Sequence, residues 1–325
     1  MASDPPQAQQ MFAGSHPVLM GEHALAHLEL WLAGHAQNAQ IFILGDENTM
    51  EQCLPELLAK VSRLREAKTM LVRSGEHSKD IEICRALWVH LAENMADRQA
   101  ILVNLGGGVI TDLGGFVSAT YKRGIRFINI PTTVMGMVDA AIGGKTAIDL
   151  NGIKNLVGAF ADPEATYIHP PFLRTLGKRE VLNGVAEMVK HGLVLEADHW
   201  NQVRRAPLHD LDALAPLIMR SAALKAEVVM GDPHDQGSRK QLNFGHTIGH
   251  ALEAFALEST QRSLLHGEAI AVGMVCATWL SWRMELLDRD RMNAVEEHLM
   301  GLYPPFRLQA ADHHRIIELM RNDKK

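Results

Sequence analysis

The segment at residues 100–105 (AILVNL) is a solid apolar run that ends in three glycines at 106–108 and continues as VITD at 109–112. A short apolar run without alternation is typical of a strand buried on both faces of a sheet. Glycines between a strand and a helix let backbone amides approach a diphosphate, and the helix N-terminus favours negative charge there. The segment therefore predicts a nucleotide-binding strand–turn–helix. A purely structural tight turn is the alternative, because Thr111 stands where the third glycine of GxGxxG would be.

Similar apolar runs flank this segment in the first half of the chain. They lie at residues 40–44 (QIFIL), 69–72, 126–130 (RFINI) and 165–169, and helical periodicity occurs between them at 50–65 and 81–94. Buried strands that alternate with helices indicate parallel pairing. We predict an α/β fold with a Rossmann-like, doubly wound parallel sheet.

The second half of the chain has a different texture. Long helical patterns dominate it, at residues 178–195, 211–230, 241–256, 267–284 and 294–302. A length of 325 residues is compatible with two domains. We predict a nucleotide-binding α/β domain over 1–165, with 1–15 as a flexible arm, and an all-α domain over 166–325.

Composition excludes several classes of protein. The chain carries 32 Lys+Arg and 38 Asp+Glu, a net charge of −6, so we expect neither nucleic acid nor a membrane as partner. The longest uncharged apolar stretch, 269–282, is shorter than the roughly 20 residues of a spanning helix. Three widely spaced cysteines form no disulfide framework, which favours a reducing, cytoplasmic location.

A second cluster of anion-binding character follows the run at 126–130. It comprises PTT at 131–133, Asp139, GGKT at 143–146 and GIKN at 152–155. Ligands of open α/β sheets bind where the strands end, and two glycines before Lys145 permit close approach of an anion. The motif is not a Walker A sequence, because Asp139 occupies the position of its first glycine. A loop with a solvated lysine is the alternative interpretation.

Several histidines have the spacing of metal ligands. Asn243, His246 and His250 lie at i, i+3 and i+7, which predicts one face of a helix, and His266 precedes another helix. Two histidines at i, i+4 can bind a divalent metal, and Glu187 supplies a carboxylate in the same half of the chain. With 17 histidines in the chain, spacing alone leaves open whether these residues are ligands or ordinary packing residues.

Basic residues are distributed around these histidines. They are Lys190, Lys225, Arg239 and the terminal pair at 324–325. Positive charges beside a metal site favour a substrate that carries both phosphate and carboxylate. Solvated helix faces are the alternative for each of them.

Taken together, these motifs closely resemble the 3-dehydroquinate synthase family of sugar-phosphate cyclases. The resemblance extends over 46–325 and is strongest at 105–123, 131–160, 184–192, 239–253 and 265–274. It implies that the α/β domain binds NAD, that the helical domain binds Zn²⁺ or Co²⁺, and that the protein is a cytoplasmic homodimer. It also implies the conversion of 3-deoxy-D-arabino-heptulosonate 7-phosphate to 3-dehydroquinate and phosphate, with NAD regenerated in each turnover.

The resemblance assigns roles residue by residue. The implied NAD contacts are Asp46, Asn48, Glu76, Lys79, Gly107, Gly108, Asp112, Thr132, Thr133, Asp139, Lys145, Lys154, Phe172 and Thr175. The implied metal ligands are Glu187, His246 and His266, which leaves His250 facing the substrate. The implied substrate contacts are Lys225 and Arg239 for the carboxylate, Lys145, Asn155, Asn243 and Lys324 for the phosphate, Lys190 for the ring hydroxyls and Arg123 from a partner subunit.

The sequence departs from the family pattern at a few positions. Pro233 and Asp235 stand where glutamates are usual, and Thr111 replaces a common glycine. Three alternatives remain: a related cyclase whose substrate lacks the carboxylate, a metal-dependent polyol dehydrogenase, and a paralogue that binds NAD without turnover. A neutral substrate would leave Lys225 and Arg239 uncompensated in a closed site, which disfavours the first two.

Overall fold

The computed structural model describes residues 8–151, 153–258 and 264–321. Within them the strands are β1 (Gln9–Ala13), β2 (His16–Met20), β3 (Ile41–Asp46), β4 (Lys68–Val72), β5 (Ile101–Gly106), β6 (Arg126–Pro131), β7 (Lys145–Leu150), β8 (Ile153–Phe160) and β9 (Ala165–Ile168). The helices are α1 (Ala24–His35), α2 (Glu47–Gln52), α3 (Leu54–Lys60), α4 (Ile81–Glu93), α5 (Gly108–Thr120), α6 (Lys178–Val194), α7 (Ala197–Val203), α8 (Leu211–Gly231), α9 (His246–Leu257), α10 (His266–Arg283), α11 (Arg289–Leu302) and α12 (Asp312–Arg321).

Seven strands form one twisted sheet in the order β1-β2-β9-β6-β5-β3-β4. All neighbours pair in parallel except β1 with β2, which form an antiparallel edge. The run at 100–105 forms the inner strand β5, which is buried along its whole length. The fold-class prediction is confirmed: a mostly parallel sheet with flanking helices is followed by a helical second half.

The five predicted strands are all present, each within two residues of its predicted bounds. The interpretation of 1–15 as a flexible arm is wrong for its described part, because Gln9–Ala13 is the edge strand β1. The sequence QQMFA has too few apolar residues to predict a strand, and backbone pairing with β2 supplies its order. The hairpin of β7 and β8 was also not predicted, since a half-exposed two-stranded sheet has no solid apolar run.

One predicted helix begins later than expected. The pattern at 241–256 forms a 3-10 turn over Ser238–Asn243, and α9 begins only at His246. Gly245 lies between them at φ +79°, a left-handed conformation, and a Cβ on it would lie 2.7 Å from the backbone nitrogen of Met274. Only glycine fits there. Asn243 is therefore not on the same helix as His246, contrary to the prediction.

The helices of the second half pack against the sheet in a shared hydrophobic core. Val134 just after β6, Val185 of α6 and Ile270 of α10 are all fully buried in it. The short helical turn at Gly136–Ala140, which follows β6, contacts both α6 and α8. The carboxyl ends of the strands thus face the helical half. The division into domains at 165/166 stays a prediction.

Across the described residues, no helix has both the length and the apolar content that crossing a bilayer requires.

Candidate active site and metal centre

The glycine turn after β5 has the form expected of a nucleotide-binding turn. Gly107 caps α5, and its carbonyl accepts the backbone N–H groups of residues 110 and 111. A Cβ on Gly107 would lie 3.0 Å from the Cγ2 atom of Thr133, and a Cβ on Gly108 would lie 3.0 Å from Ala140. Side chains at these positions would fill the space between the turn and the segment after β6. The turn therefore fits a diphosphate group at the N-terminus of α5.

The other predicted nucleotide contacts follow strand ends. Asp46 and Asn48 lie at the end of β3, Thr132 and Thr133 follow β6, and Phe172 and Thr175 lie in the 3-10 turn Pro170–Thr175 after β9. Parallel strands place these ends on one edge of the sheet. Asp46 also has a structural role, because its carboxylate caps α2 by accepting the N–H of Thr49 at 2.9 Å.

Buried ion pairs connect the remaining residues on this side. The Lys79 ammonium donates to Asp112 at 2.6 Å and to the side chain of Asn155. Burial tends to lower the pKa of Lys79, but Asp112 and Glu76 outweigh it and the pKa is raised. Asp112 lies beyond the first turn of α5, so it is neither the cap of that helix nor an acid of its first turn. Asn155, predicted to bind phosphate, is exposed beside this group.

Three predicted metal ligands converge from three helices. Glu187 Oε1 of α6 lies 3.7 Å from Nε2 of His246 and 3.7 Å from Nε2 of His266, the first residues of α9 and α10. Tetrahedral ligands with bonds of about 2.1 Å are separated by about 3.4 Å. Glu187 is fully buried; Lys190 contacts its Oε2 atom, and its Oε1 atom accepts no hydrogen bond from a described residue. A buried carboxylate oxygen that faces two imidazoles without a donor fits a divalent cation.

Both imidazoles are oriented by their second ring nitrogen. His246 Nδ1 lies 3.2 Å from the carbonyl oxygen of Phe244, and His266 Nδ1 lies 3.2 Å from Glu253 Oε2. Such partners fix the tautomer and direct Nε2 at a metal. The sequence motifs assigned no role to Glu253. Its signal was the spacing His246, His250, Glu253, which is i, i+4, i+7 on one face of α9.

His250 lies next to the same centre. Its ring centroid is 5.1 Å from that of His246 and 5.8 Å from that of His266, and the three histidines have donor atoms within 4.8 Å of one another. Geometry thus offers either Glu187 or His250 as the third ligand. Glu187 is favoured, because a fully buried carboxylate gains most from a cation.

The electrostatic field around this centre favours positive charge. Burial tends to raise the pKa of Glu187, but Lys190, His246 and His266 hold it well below its usual range. Burial tends to lower the pKa of His266, but Glu253 and Glu187 raise it to about 9. Two carboxylates therefore stabilise a cation at this point.

The predicted basic residues are buried rather than solvated on helix faces. Lys190, Lys225 and Arg239 are 1%, 6% and 3% exposed. Lys190 pairs with Glu187, and Lys225 donates to the carboxylate and the carbonyl of Asp139 at 2.5 and 2.6 Å. The alternative of solvated helix faces is wrong for these three residues.

Arg239 has a cradle made of backbone. Its guanidinium donates to the carbonyls of Pro233 at 2.8 Å and Gly143 at 3.1 Å. A Cβ on Gly143, which lies at φ +103°, would be 2.4 Å from the Arg239 Nη2 atom, so the GGK loop needs glycine there. Burial lowers the pKa of Arg239, although nearby carboxylates oppose it. Its charge is thus available to an anion in the cleft.

A second cluster of possible ligands lies beside the first. Donor atoms of Asp139, Glu187 and His191 are within 4.8 Å of one another. Lys225 already neutralises Asp139, and Glu187 has one oxygen against Lys190 and the other facing His246 and His266, so a second divalent cation has no free carboxylate oxygen here. Burial lowers the pKa of His191 to about 3, so its ring is neutral. This cluster is an ion-pair network rather than a second metal centre.

The remaining predicted residues that the structure describes are exposed or half-buried. The ammonium of Lys145, which is exposed, lies 2.5 Å from Asp235 Oδ2. Asn243 is half-buried at the end of its 3-10 turn, and Arg123 is exposed in the turn after α5. Lys324 lies outside the described residues.

Comparisons with known proteins agree with this arrangement. Residues 69–183 match the 3-dehydroquinate synthase N-terminal family, and residues 184–325 match the 3-dehydroquinate synthase C-terminal family. The chain is 42% identical over 291 residues to a 3-dehydroquinate synthase of Parabacteroides distasonis, covering 88% of this chain and 81% of that protein.

Two solved structures have the same fold. One is 2-deoxy-scyllo-inosose synthase complexed with carbaglucose-6-phosphate, NAD⁺ and Co²⁺, with a TM-score of 0.82, 26% identity and coverage of 98% of this chain and 87% of that one. The other is the 2-epi-5-epi-valiolone synthase of Streptomyces hygroscopicus with NAD⁺ and Zn²⁺ bound, with a TM-score of 0.83, 24% identity and coverage of 98% and 88%. With both family models matched in order over most of its length, the chain belongs to the 3-dehydroquinate synthase family.

Proposed function

We propose that the chain converts 3-deoxy-D-arabino-heptulosonate 7-phosphate to 3-dehydroquinate and phosphate, a step of the shikimate pathway and of aromatic amino acid biosynthesis. The observation that carries the proposal is the meeting of Glu187, His246 and His266 beside buried Lys190, Lys225 and Arg239. Membership of the 3-dehydroquinate synthase family supports it.

NAD and a divalent metal, Zn²⁺ or Co²⁺, are the proposed cofactors. The solved neighbours contain NAD⁺ with Co²⁺ or with Zn²⁺. Glu187, His246 and His266 would hold the metal, and the turn at 107–108 with Asp112 would hold the nucleotide. When bound, these groups would supply a Lewis acid and a reversible hydride acceptor for a secondary alcohol of the substrate, which acidifies the neighbouring C–H and so permits elimination of the phosphate.

The protein's own side chains bind and orient the substrate. Lys225 and Arg239 pair with its carboxylate, Lys190 donates to ring hydroxyls, and His250 faces the substrate beside the metal. Lys145, Asn155, Asn243 and Lys324 are the proposed phosphate contacts. The helices that surround Lys190 exclude water, which strengthens each of these interactions.

The choice of an acidic substrate rests on Arg239. Its guanidinium is buried and donates only to backbone carbonyls in its described hydrogen bonds. The carboxylates near Arg239 act on it without a hydrogen bond to the guanidinium, and a substrate carboxylate would pair with it directly. A cyclase for neutral sugars or a polyol dehydrogenase has no such group to offer.

Two further aspects belong to the same proposal. We place the protein in the cytoplasm as a homodimer in which Arg123, exposed after α5, reaches the partner's site. We also retain the division into an NAD-binding domain at 1–165 and a metal- and substrate-binding domain at 166–325.

The test is phosphate release from the heptulosonate phosphate with NAD⁺ and Zn²⁺ present. We expect phosphate without net NADH, and no release from an analogue that lacks the carboxylate. His246→Ala should lose bound zinc and turnover, whereas His313→Ala, a change on the exposed face of α12, should keep both. Steady NADH accumulation would instead indicate a dehydrogenase.

A further inference from the structure

Glu253 connects a metal-ligating histidine to the nucleotide side of the cleft. It is 4% exposed, and its two oxygens have different partners. Oε2 lies 3.2 Å from Nδ1 of His266, and Oε1 accepts from the ammonium of Lys154 at 2.7 Å. One carboxylate of α9 thus fixes both an imidazole of the metal centre and a lysine of β8.

Beyond Lys154, further side chains of alternating charge are in contact with one another. Lys154 lies 3.2 Å from Glu76 Oε1, Lys79 lies 4.0 Å from the same oxygen, and Lys79 pairs with Asp112 of α5 at 2.6 Å. We name the whole series the charge chain: Glu187, His266, Glu253, Lys154, Glu76, Lys79 and Asp112. It runs without a gap wider than 4.0 Å from the metal centre to α5, the helix that follows the glycine turn.

We propose that Glu253 is a positioning residue that orients His266 toward the metal and, through Lys154, couples the affinity for metal to the affinity for NAD. The inference rests on the proposed function for the identity of the two ligands. It adds a residue to the metal centre and a reciprocal linkage between the two cofactors.

The physical basis is that each member of the charge chain is held by its neighbours. A metal on Nε2 requires His266 to keep its proton on Nδ1, where it donates to Glu253, and this bond strengthens when the imidazole donates electron density to a cation. Glu253 then has one fixed orientation and holds Lys154 in place beside Glu76. A nucleotide that binds next to Lys154 and Glu76 meets groups that are already ordered, so its entropic cost is smaller. By thermodynamic linkage, bound nucleotide increases the affinity for the metal by the same factor.

Glu253→Gln tests the positioning role, because it keeps the shape of the side chain and removes its charge. We measure the Kd for Zn²⁺ by competition with a chromophoric chelator and record the visible spectrum of the Co²⁺ form. The Zn²⁺ Kd should rise about 10- to 100-fold, the usual effect of losing such a partner, and the Co²⁺ spectrum should change. The matched control is Glu258→Gln at the end of α9, whose carboxylate pairs with Arg315 on the surface; its Zn²⁺ Kd should stay within twofold of the unmodified protein.

The coupling is tested by NADH titration of zinc-loaded and EDTA-treated protein, followed by fluorescence. In the unmodified protein, the Kd for NADH should be at least fivefold lower in the zinc-loaded form than in the EDTA-treated form. In Glu253→Gln, the NADH Kd values of the two forms should agree within twofold. Lys154→Met leaves the carboxylate on His266, so the Zn²⁺ Kd should stay within about threefold while the coupling is lost.

Two results would overturn the inference. A Zn²⁺ Kd for Glu253→Gln within twofold of the unmodified protein removes the positioning role. If the ratio of the NADH Kd values with and without zinc is the same in the unmodified protein and in Lys154→Met, the proposed linkage through Lys154 is wrong. This measurement remains decisive if Glu253→Gln does not fold. Neither assay needs turnover. A failure of phosphate release would therefore refute the proposed function, whereas the Zn²⁺ and NADH affinities test the role of Glu253 independently.

Discussion

Replacing Lys190 by methionine tests whether the buried ion pair at the metal centre exists. Lys190 is 1% exposed and pairs with the fully buried Glu187. Removing one partner of a buried pair leaves the other charge uncompensated, which costs about 3–5 kcal/mol. Metal-free Lys190→Met should therefore be less stable than the unmodified protein by that amount.

The change in melting temperature follows from the chain length. An unfolding entropy of about 2.1 cal/mol/K per residue over 325 residues is about 0.7 kcal/mol/K. A loss of about 3–5 kcal/mol then lowers Tm by about 4–7 °C. Zinc supplies the missing positive charge to Glu187, so in saturating Zn²⁺ the deficit should shrink to less than about 2 °C.

The assay is thermal unfolding in EDTA and in Zn²⁺, with Lys178→Met as control. Lys178 is exposed at the start of the same helix, α6, and its loss should change Tm by less than about 1 °C in either condition. Either of two results would refute the buried ion pair. One is a Tm of Lys190→Met in EDTA equal to that of the unmodified protein, and the other is a zinc-induced rise in the Tm of Lys190→Met no larger than that of the unmodified protein.

Two further predictions concern substrate binding. Burial lowers the pKa of Lys225 to about 8, so the ammonium that would bind the carboxylate is lost as pH rises through that value. kcat/KM should fall above about pH 8 and stay level in Lys225→Arg, whose guanidinium remains charged; a flat profile for the unmodified protein contradicts this. Lys145 pairs with Asp235 at an exposed position, where such a pair is worth at most about 1 kcal/mol. Asp235→Asn should change KM less than about fivefold, while Lys145→Met, which removes a proposed phosphate contact, should raise KM by tenfold or more; equal effects would show that the pair itself matters.

The parallel sheet was predictable because its strands have local signatures. Buried strands such as β5 read as solid apolar runs, and glycines mark where they end. The edge strand β1 was missed because its backbone pairing with β2 does not depend on an apolar sequence. The start of α9 was missed for a conformational reason, since Gly245 breaks the helical pattern that continues through Asn243 in the sequence.

The sequence predicted which residues belong to the candidate site, but not which of them are in contact. Motif resemblance selected Glu187, His246 and His266, and the structure brings them together. It did not distinguish buried basic residues from solvated ones, because a single lysine on a helix has the same sequence pattern in both situations. Only the packing of the helices in the folded protein shows that Lys190 and Lys225 are buried.

By itself the sequence determined the class of fold, the positions of the glycine turns and the identity of the chemical groups, since these depend on periodicity and residue type within a few neighbours. Only the tertiary structure decided which groups touch. Lys154 and Glu253 are 99 residues apart in the chain and 2.7 Å apart in space. No local pattern encodes such a contact, because it forms only when β8 and α9 are packed into one cleft.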